Sequence, residues 1–394
     1  MKKLLIYLIF LPLFLFPTIA FASDFSITGE NVILYNLNDD TILYEKNSDT
    51  KTNIASLTKM MSALVAIENI SSYDDTVTIT AADFNGTDGY SKAGFSIGDV
   101  VTYRDLLYGV LLPSGAEAVN ALVRNTLKDD FIAAMNAKAE EIGLKNTSFS
   151  NAIGKDAIDN YSTASDVAKL LEYAIKNPLF KEIFTTKEYV TSNGITLNST
   201  LYPYKDILDI NKIAGSKSGF TKGAGRCLAS ITSLNGVDYL LVVINSSTAQ
   251  NYSAVKDTIT IYDYYNENYS YQTVLNEGKI ITSIPVKWGN IKTYDITSPK
   301  DVELFIKNDT ADKINITYDG VEEIAKNTKK GSHLGTLIIS LEDEVLYTLE
   351  ISLDKDIIYY NIVVLIIIAL VILIILFILL KKIRRHRKRR RKRR

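Results

Sequence analysis

The chain contains two histidines, His333 and His386, and the second falls inside a basic C-terminal block. A serine hydrolase with an imidazole base would therefore have to draw on His333, far along the chain. A serine can also be activated by a lysine that burial or a neighbouring positive charge keeps deprotonated. One helical turn places such a lysine on the same face as the serine, which gives the spacing S-x-x-K. That spacing occurs at Ser48/Lys51, Ser56/Lys59, Ser253/Lys256 and Ser352/Lys355. Local context separates the four. Ser48-Asp49-Thr50-Lys51 is polar and loop-like, and Ser253 and Lys256 lie on an ordinary amphipathic helix. Ser352-Leu353-Asp354-Lys355 sits in a stalk ahead of an apolar C-terminal run. Ser56-Leu57-Thr58-Lys59 alone opens a strongly apolar helix. At that helix start, free N–H groups favour developing negative charge on Ser56. An apolar interior would lower the Lys59 pKa.

Two further segments carry useful groups. Lys217-Ser218-Gly219 is the one K-[ST]-G in the chain. A lysine there offers a fixed positive charge to a carboxylate, and the glycine lets a ligand lie along a strand edge. Between the two lysine motifs comes Leu111-Leu112-Pro113-Ser114-Gly115-Ala116, a hydroxyl at a loop where proline stops a helix. Histidine scarcity excludes His-rich metal sites, so neither metal nor cofactor is expected. The lone Cys227 excludes an internal disulfide and reads as a small buried residue rather than a nucleophile.

Taken in order, Ser56-x-x-Lys59, Ser114-Gly115 and Lys217-Ser218-Gly219 resemble the three motifs of serine penicillin-binding proteins and β-lactamases. The string Ala55-Ser56-Leu57-Thr58-Lys59-Met60-Met61 is similar to that of the low-molecular-mass D-alanyl-D-alanine carboxypeptidases. So are Gly143-Leu144, Thr147-Ser148-Phe149-Ser150-Asn151, Tyr161-Ser162-Thr163-Ala164 with Asp166, and residues 217–228 including Cys227. The likeness runs over about residues 25–265. Lys330-Gly331-Ser332-His333-Leu334-Gly335 resembles that family's β-rich C-terminal domain.

The resemblance implies an α/β (α+β) penicillin-binding and β-lactamase-like transpeptidase fold with a small all-β domain behind it. It implies that Ser56 forms an acyl-ester, Lys59 accepts its proton and Ser114 relays a proton to the leaving group. Lys217 and the Ser218 hydroxyl would hold a terminal carboxylate beside Gly219. Backbone N–H groups of Ser56 and Phe220 would form the oxyanion hole. The implied substrate is the D-Ala-D-Ala end of a peptidoglycan stem peptide, with β-lactams as inhibitors. A β-lactamase, a transpeptidase or endopeptidase of the same fold, and a non-catalytic wall-binding scaffold remain open. The chain departs from the family pattern at Ala116, where the second motif has Asn, and at Ser218, where the third has Thr.

The elements that must position these groups are legible from periodicity. Two strands, 32–35 and 41–44, flank the turn residues 36–40. Helical spacing predicts helices over 56–67, 103–112, 116–127, 131–142, 164–175 and 253–265. Strands are expected over 226–232 and 239–244, with one following the Lys217 motif. From residue 271 short alternating strands take over, at 280–283, 302–306, 335–341 and 345–351. The expected division is a catalytic domain over 23–265 and a β domain over 271–355.

The ends read as targeting signals. Lys2 and Lys3, an apolar run over 4–16 and Ala20-Phe21-Ala22 predict a signal peptide over 1–22. Residues 362–380 are 19 positions without charge or Pro, long enough to cross a hydrocarbon core, so a span is expected over 361–380. The tail 381–394 has 12 Lys or Arg among 14 residues and is expected on the cytoplasmic side against anionic lipid. The family more often ends in an amphipathic helix lying on the membrane. Excluding tail and signal, 30 Lys and Arg face 45 Asp and Glu, so the body carries a charge near −15. That acidity excludes a nucleic-acid binder, and an anionic substrate would need local positive charge.

Overall fold

The computed structural model describes residues 25–392, so the expected signal peptide lies outside the described residues. The chain forms two compact units, divided between Glu267 and Asn268.

The first unit is built on a five-stranded antiparallel sheet, against which α5 and α6 pack, and a cluster of helices gathered around one central helix. Strands β1 (Asn31–Asn36) and β2 (Thr41–Lys46) form the expected hairpin. A 3-10 turn at Ala55–Leu57 leads into α1 (Thr58–Asn69). A small hairpin, β3 (Thr76–Thr78) and β4 (Val100–Thr102), precedes α2 (Tyr103–Leu111) and α3 (Ala116–Asn125). Then follow α4 (Phe131–Ile142), α5 (Ala164–Ala174) and α6 (Pro178–Thr185). A second small hairpin, β5 (Glu188–Val190) and β6 (Thr196–Asn198), comes before β7 (Gly215–Thr221), β8 (Gly225–Leu234) and β9 (Val237–Ser246). The unit closes with α7 (Ser253–Asn268). The sheet order is β2-β1-β9-β8-β7, which leaves β7 as an edge.

Helix α1 is the core of this unit. Every residue from Thr58 to Ile67 is buried, and α2, α3, α4, α5 and α6 all pack on it. A helix that is apolar on all sides is stable only when wrapped in this way. Three of the other helices, α2, α5 and α6, start at side-chain caps. Thr102 and Asp105 form a capping box on α2, Thr163 accepts the N–H of Asp166 at α5, and Asn177 caps α6 ahead of Pro178. Gly143 ends α4 in the left-handed conformation.

In this unit sequence periodicity captured α1 to α5, α7, β1, β2, β8 and β9, with ends displaced by up to three residues. It did not reveal α6 or the two short hairpins. It also placed a strand after the Lys217 motif, whereas Lys217-Ser218-Gly219 lies inside the edge strand β7.

The second unit is all-β up to its last helix. Its strands are β10 (Tyr269–Leu275), β11 (Ile280–Pro285), β12 (Thr293–Thr297), β13 (Val302–Lys307), β14 (Ile314–Gly320), β15 (His333–Leu341) and β16 (Glu344–Ser352). They pair as β10-β13, β11-β12 and β14-β15-β16 over a core that includes Ile284, Ile296, Leu337, Ile339 and Ile351. The unit ends in α8 (Ile362–Lys392), whose stretch Ile362–Lys388 is long and apolar enough to cross a membrane and is unburied.

Candidate active site

The four S-x-x-K pairs have different fates. Ser48 Oγ donates to Glu45 Oε2 at 2.9 Å, while Lys51 rests over the Tyr161 ring. Ser253 Oγ donates to the Gln250 carbonyl at 3.0 Å, as a helix-start residue does. Ser352 ends strand β16, where the i+3 side chain is not a neighbour, and Lys355 stacks on Tyr294. In the remaining pair, Lys59 Nζ lies 2.9 Å from Ser56 Oγ. Ser56 sits in the 3-10 turn just ahead of α1, rather than at the first residue of the α-helix itself.

Lys59 is fully buried because it occupies the wrapped helix α1. Burial pulls its pKa from 10.5 down to about 7, and the negative charge of Glu117 opposes a further fall. Its second hydrogen bond is to the Ile153 carbonyl at 2.7 Å. That carbonyl belongs to a loop moulded onto the Ala55–Leu57 turn. Asn151 Oδ1 accepts the N–H groups of Gly154 and Lys155, each at 2.8 Å, and Ser62 Oγ donates to the Ala152 carbonyl at 2.6 Å. Gly154 has φ +84°, and a Cβ there would run into the Ala55 carbonyl, so no side chain fits at the approach of this loop to Ser56.

The third motif lies against the same turn. A Cβ on Gly219 would come within 2.9 Å of the Ser56 backbone N, so glycine lets the sheet edge pass beside Ser56. Lys217 is fully buried, and its Nζ donates to the Ser218 carbonyl at 2.9 Å. The sequence expectation for Lys217 is a standing positive charge, and its surroundings work against one. Burial first, and the Lys59 charge second, draw its pKa well below 10.5. A ligand carboxylate would supply the countercharge that restores the ammonium. Phe220 is exposed at the rim, with the Arg226 guanidinium 4.1 Å from its ring centre on the paired strand.

Ser114 is nearly buried, has φ +68°, and its Oγ has no partner among the described residues. A non-glycine residue in that conformation with an unmet hydroxyl is a costly arrangement, of the kind concentrated at functional sites. The loop around it is clamped. Ala116 N–H donates to the Ser91 carbonyl at 2.8 Å, and Glu117 Oε1 accepts the N–H groups of Ala93 and Gly94 at 2.6 and 3.0 Å. Ala116, at the position of the family's Asn, is fully buried.

Sequence reasoning missed three contributors. Ile153 and Gly154 lie beside the Thr147–Asn151 string that carried part of the resemblance, but only the folded loop shows what they touch. Thr200 gave no signal. Its N–H donates to the Leu112 carbonyl at 3.2 Å, and its Oγ1 accepts from Ser218 Oγ at 2.7 Å. It thereby ties the Ser114 loop to strand β7. Conversely, Ser162, Thr163 and Asp166 are structural. Asp166 Oδ2 accepts from Asn146 N and Thr147 Oγ1 at 2.7 and 2.8 Å, stapling that loop to α5.

His333 is exposed on β15, with Nδ1 3.1 Å from Glu350, in the second unit. Cys227 is buried and unbridged, and burial pushes its thiol up to about 12, which leaves it inert. No cluster of His, Cys, Asp and Glu suited to a metal occurs among the described residues.

Residues 18–248 match the family described as D-alanyl-D-alanine carboxypeptidase, and residues 269–359 match the penicillin-binding protein 5 C-terminal domain. Among curated proteins, the chain is 25% identical over 374 residues to the D-alanyl-D-alanine carboxypeptidase DacF of Bacillus subtilis, covering 90% of this chain and 95% of that one. It is 30% identical over 234 residues to a D-alanyl-D-alanine endopeptidase of Escherichia coli, covering 57% and 74%. Among solved structures, a Streptomyces DD-transpeptidase superposes with a TM-score of 0.55 at 30% identity, covering 61% of this chain and 97% of that one. With more than half its length in the first match, and with a lysine-paired serine at its centre, the chain belongs to the D-alanyl-D-alanine carboxypeptidase family of serine penicillin-binding proteins.

Proposed function

We propose that this enzyme removes the terminal D-alanine from peptidoglycan stem pentapeptides through an acyl-enzyme on Ser56. The observation that carries this reading is the 2.9 Å contact between Ser56 Oγ and the buried, pKa-depressed Lys59. A neutral Lys59 donates one N–H to the Ile153 carbonyl, which turns its lone pair to the Ser56 hydroxyl. Ser56 Oγ attacks the carbonyl carbon between the two D-alanines as its proton passes to Lys59 Nζ. The oxyanion rests on the N–H groups of Ser56 and Phe220. As the C–N bond breaks, the leaving amine takes its proton from Ser114 Oγ, which regains one from the Lys59 ammonium. Water then attacks the ester, with Lys59 again as base, and releases the shortened peptide. Lys217 holds the substrate carboxylate, with the Ser218 hydroxyl assisting and Gly219 leaving room for the chain along β7. A β-lactam acylates the same Ser56 and persists.

The body of the enzyme lies outside the cell. The helix α8 anchors it as a single span, and the basic tail lies in the cytoplasm against anionic lipid. An endopeptidase reading is kept alive by the relatives of that name. A defined stem pentapeptide and a cross-linked dimer separate the readings. Release of one D-alanine per pentapeptide, with a long-lived penicillin adduct, is expected. Cleavage of the cross-linked dimer alone would favour the endopeptidase, and rapid penicillin turnover would favour a lactamase.

Thr200 supports the carboxylate pocket by orienting Ser218. Thr200→Val keeps the shape but removes that hydrogen bond, worth about 0.5–1.5 kcal/mol. The expected result is a KM raised roughly 2- to 10-fold with kcat little changed, read from initial rates on the pentapeptide. An unchanged KM would remove Thr200 from the pocket.

A further inference from the structure

Trp288 is the single tryptophan in the chain, and it stands half exposed in the turn between β11 and β12, at 52%. About half of the indole is left uncovered. This turn is not free in the second unit. It is laced to the segment that leads into α8. Tyr360 N–H donates to the Trp288 carbonyl at 2.6 Å, and Gly289 and Tyr359 form an antiparallel bridge. Asn290 N–H donates to the Ile358 carbonyl at 2.8 Å, and Ile358 N–H returns to Asn290 Oδ1 at 3.1 Å. Two more exposed apolar side chains, Ile358 at 67% and Tyr360 at 46%, lie on the same strap.

The ladder fixes the depth of Trp288 relative to the span. Helix α8 starts at Ile362, two residues after the Tyr360 that pairs with Trp288. Two extended residues reach at most roughly 7 Å. The 19 apolar residues from 362 to 380 match a hydrocarbon core of roughly 30 Å, so the helix start falls near its outer boundary. The head-group layer beyond that boundary is roughly 5–8 Å thick. Trp288 and Tyr360 therefore fall inside it, where amphipathic rings prefer to lie.

We propose that the Trp288 turn, with Ile358 and Tyr360, is a lipid-contact site that seats the C-terminal β unit on the outer face of the membrane. The partner is the head-group and upper acyl region of the bilayer. The inference rests on α8 being the span proposed above, and it adds a second, peripheral contact to that anchor.

The full chain, reconstituted in vesicles of mixed phosphatidylcholine and phosphatidylglycerol, tests it, because Trp288 makes intrinsic fluorescence a single-site reporter. The expected result is blue-shifted emission and weak quenching by aqueous iodide. Lipids brominated near the carbonyl end of the acyl chain should quench more strongly than those brominated near the methyl end. Vesicle-bound chain whose emission matches water-exposed indole, quenched by iodide and not by brominated lipid, overturns the contact while leaving the anchor intact. Chain that does not float with the vesicles overturns the anchor and this inference with it.

Discussion

Ser56→Ala is expected to abolish covalent labelling by a fluorescent penicillin, while Ser48→Ala, Ser253→Ala and Ser352→Ala label like the parent. All four serines precede a lysine by three positions, so the comparison isolates geometry from spacing. The other three hydroxyls or their lysines are committed elsewhere, to Glu45, to the Gln250 carbonyl and to the Tyr294 ring. Loss of the nucleophile removes the acyl-enzyme route altogether, so pentapeptide hydrolysis should fall by roughly 10⁴-fold or more. The substitution deletes one oxygen from a half-buried side chain, so the fold should be retained, and an unchanged melting temperature provides the control. Labelling that survives in Ser56→Ala would discard the assignment of the nucleophile.

Lys59→Arg is the second large effect. Lys59 can accept a proton only when it is neutral, and burial has brought its pKa to about 7. Below that value it is an ammonium and cannot act as base. Above it the neutral amine dominates. Parent acylation by one penicillin should thus climb as pH rises through about 7 and then level off. A guanidinium stays protonated throughout this range, so Lys59→Arg should lose the rise and acylate at least about 10²-fold more slowly at the plateau. The larger side chain also strains a filled core, so Lys59→Met, which is close to isosteric and uncharged, serves as a second variant with the same expected loss. If either variant acylates as fast as the parent with the same pH profile, Lys59 is not the base.

The Lys217 result alters how the two lysines relate. The sequence suggested opposite duties, one neutral and one permanently charged, with the charged one depressing the other. Desolvation is the larger cause for both, and the Lys59 charge lowers Lys217 further. Two buried ammonium groups close enough to interact are unfavourable. A carboxylate bound at Lys217, as proposed above, would restore its ammonium and favour the neutral form of Lys59. Under the proposed mechanism, carboxylate recognition and base activation would be coupled through this one pair of side chains.

The sequence alone determined which serine to examine. An apolar run around Ser56 and Lys59 can be satisfied only by burial, and burial of a lysine is itself a statement about its pKa. Periodicity determined α1 to α5, α7 and the strands β1, β2, β8, β9, β11, β13, β15 and β16, because their hydrophobic spacing is set by the face each element turns to the core, but it did not reveal β10, β12 or β14. It also located the apolar stretch 362–380, since length and composition suffice there. Short elements were not legible. The hairpins β3-β4 and β5-β6 have three residues per strand, too few for a period to show, and α6 is read from its Asn177-Pro178 start rather than from a repeat. Only the tertiary structure decided what surrounds the chemistry. The Ile153 carbonyl on Lys59, the orphaned Ser114 hydroxyl and the Thr200 link to Ser218 all join residues 18 to 94 positions apart, or depend on what is absent around an atom. No local pattern records such pairings, because each partner is chosen by how the loops pack around α1 and along the β7 edge.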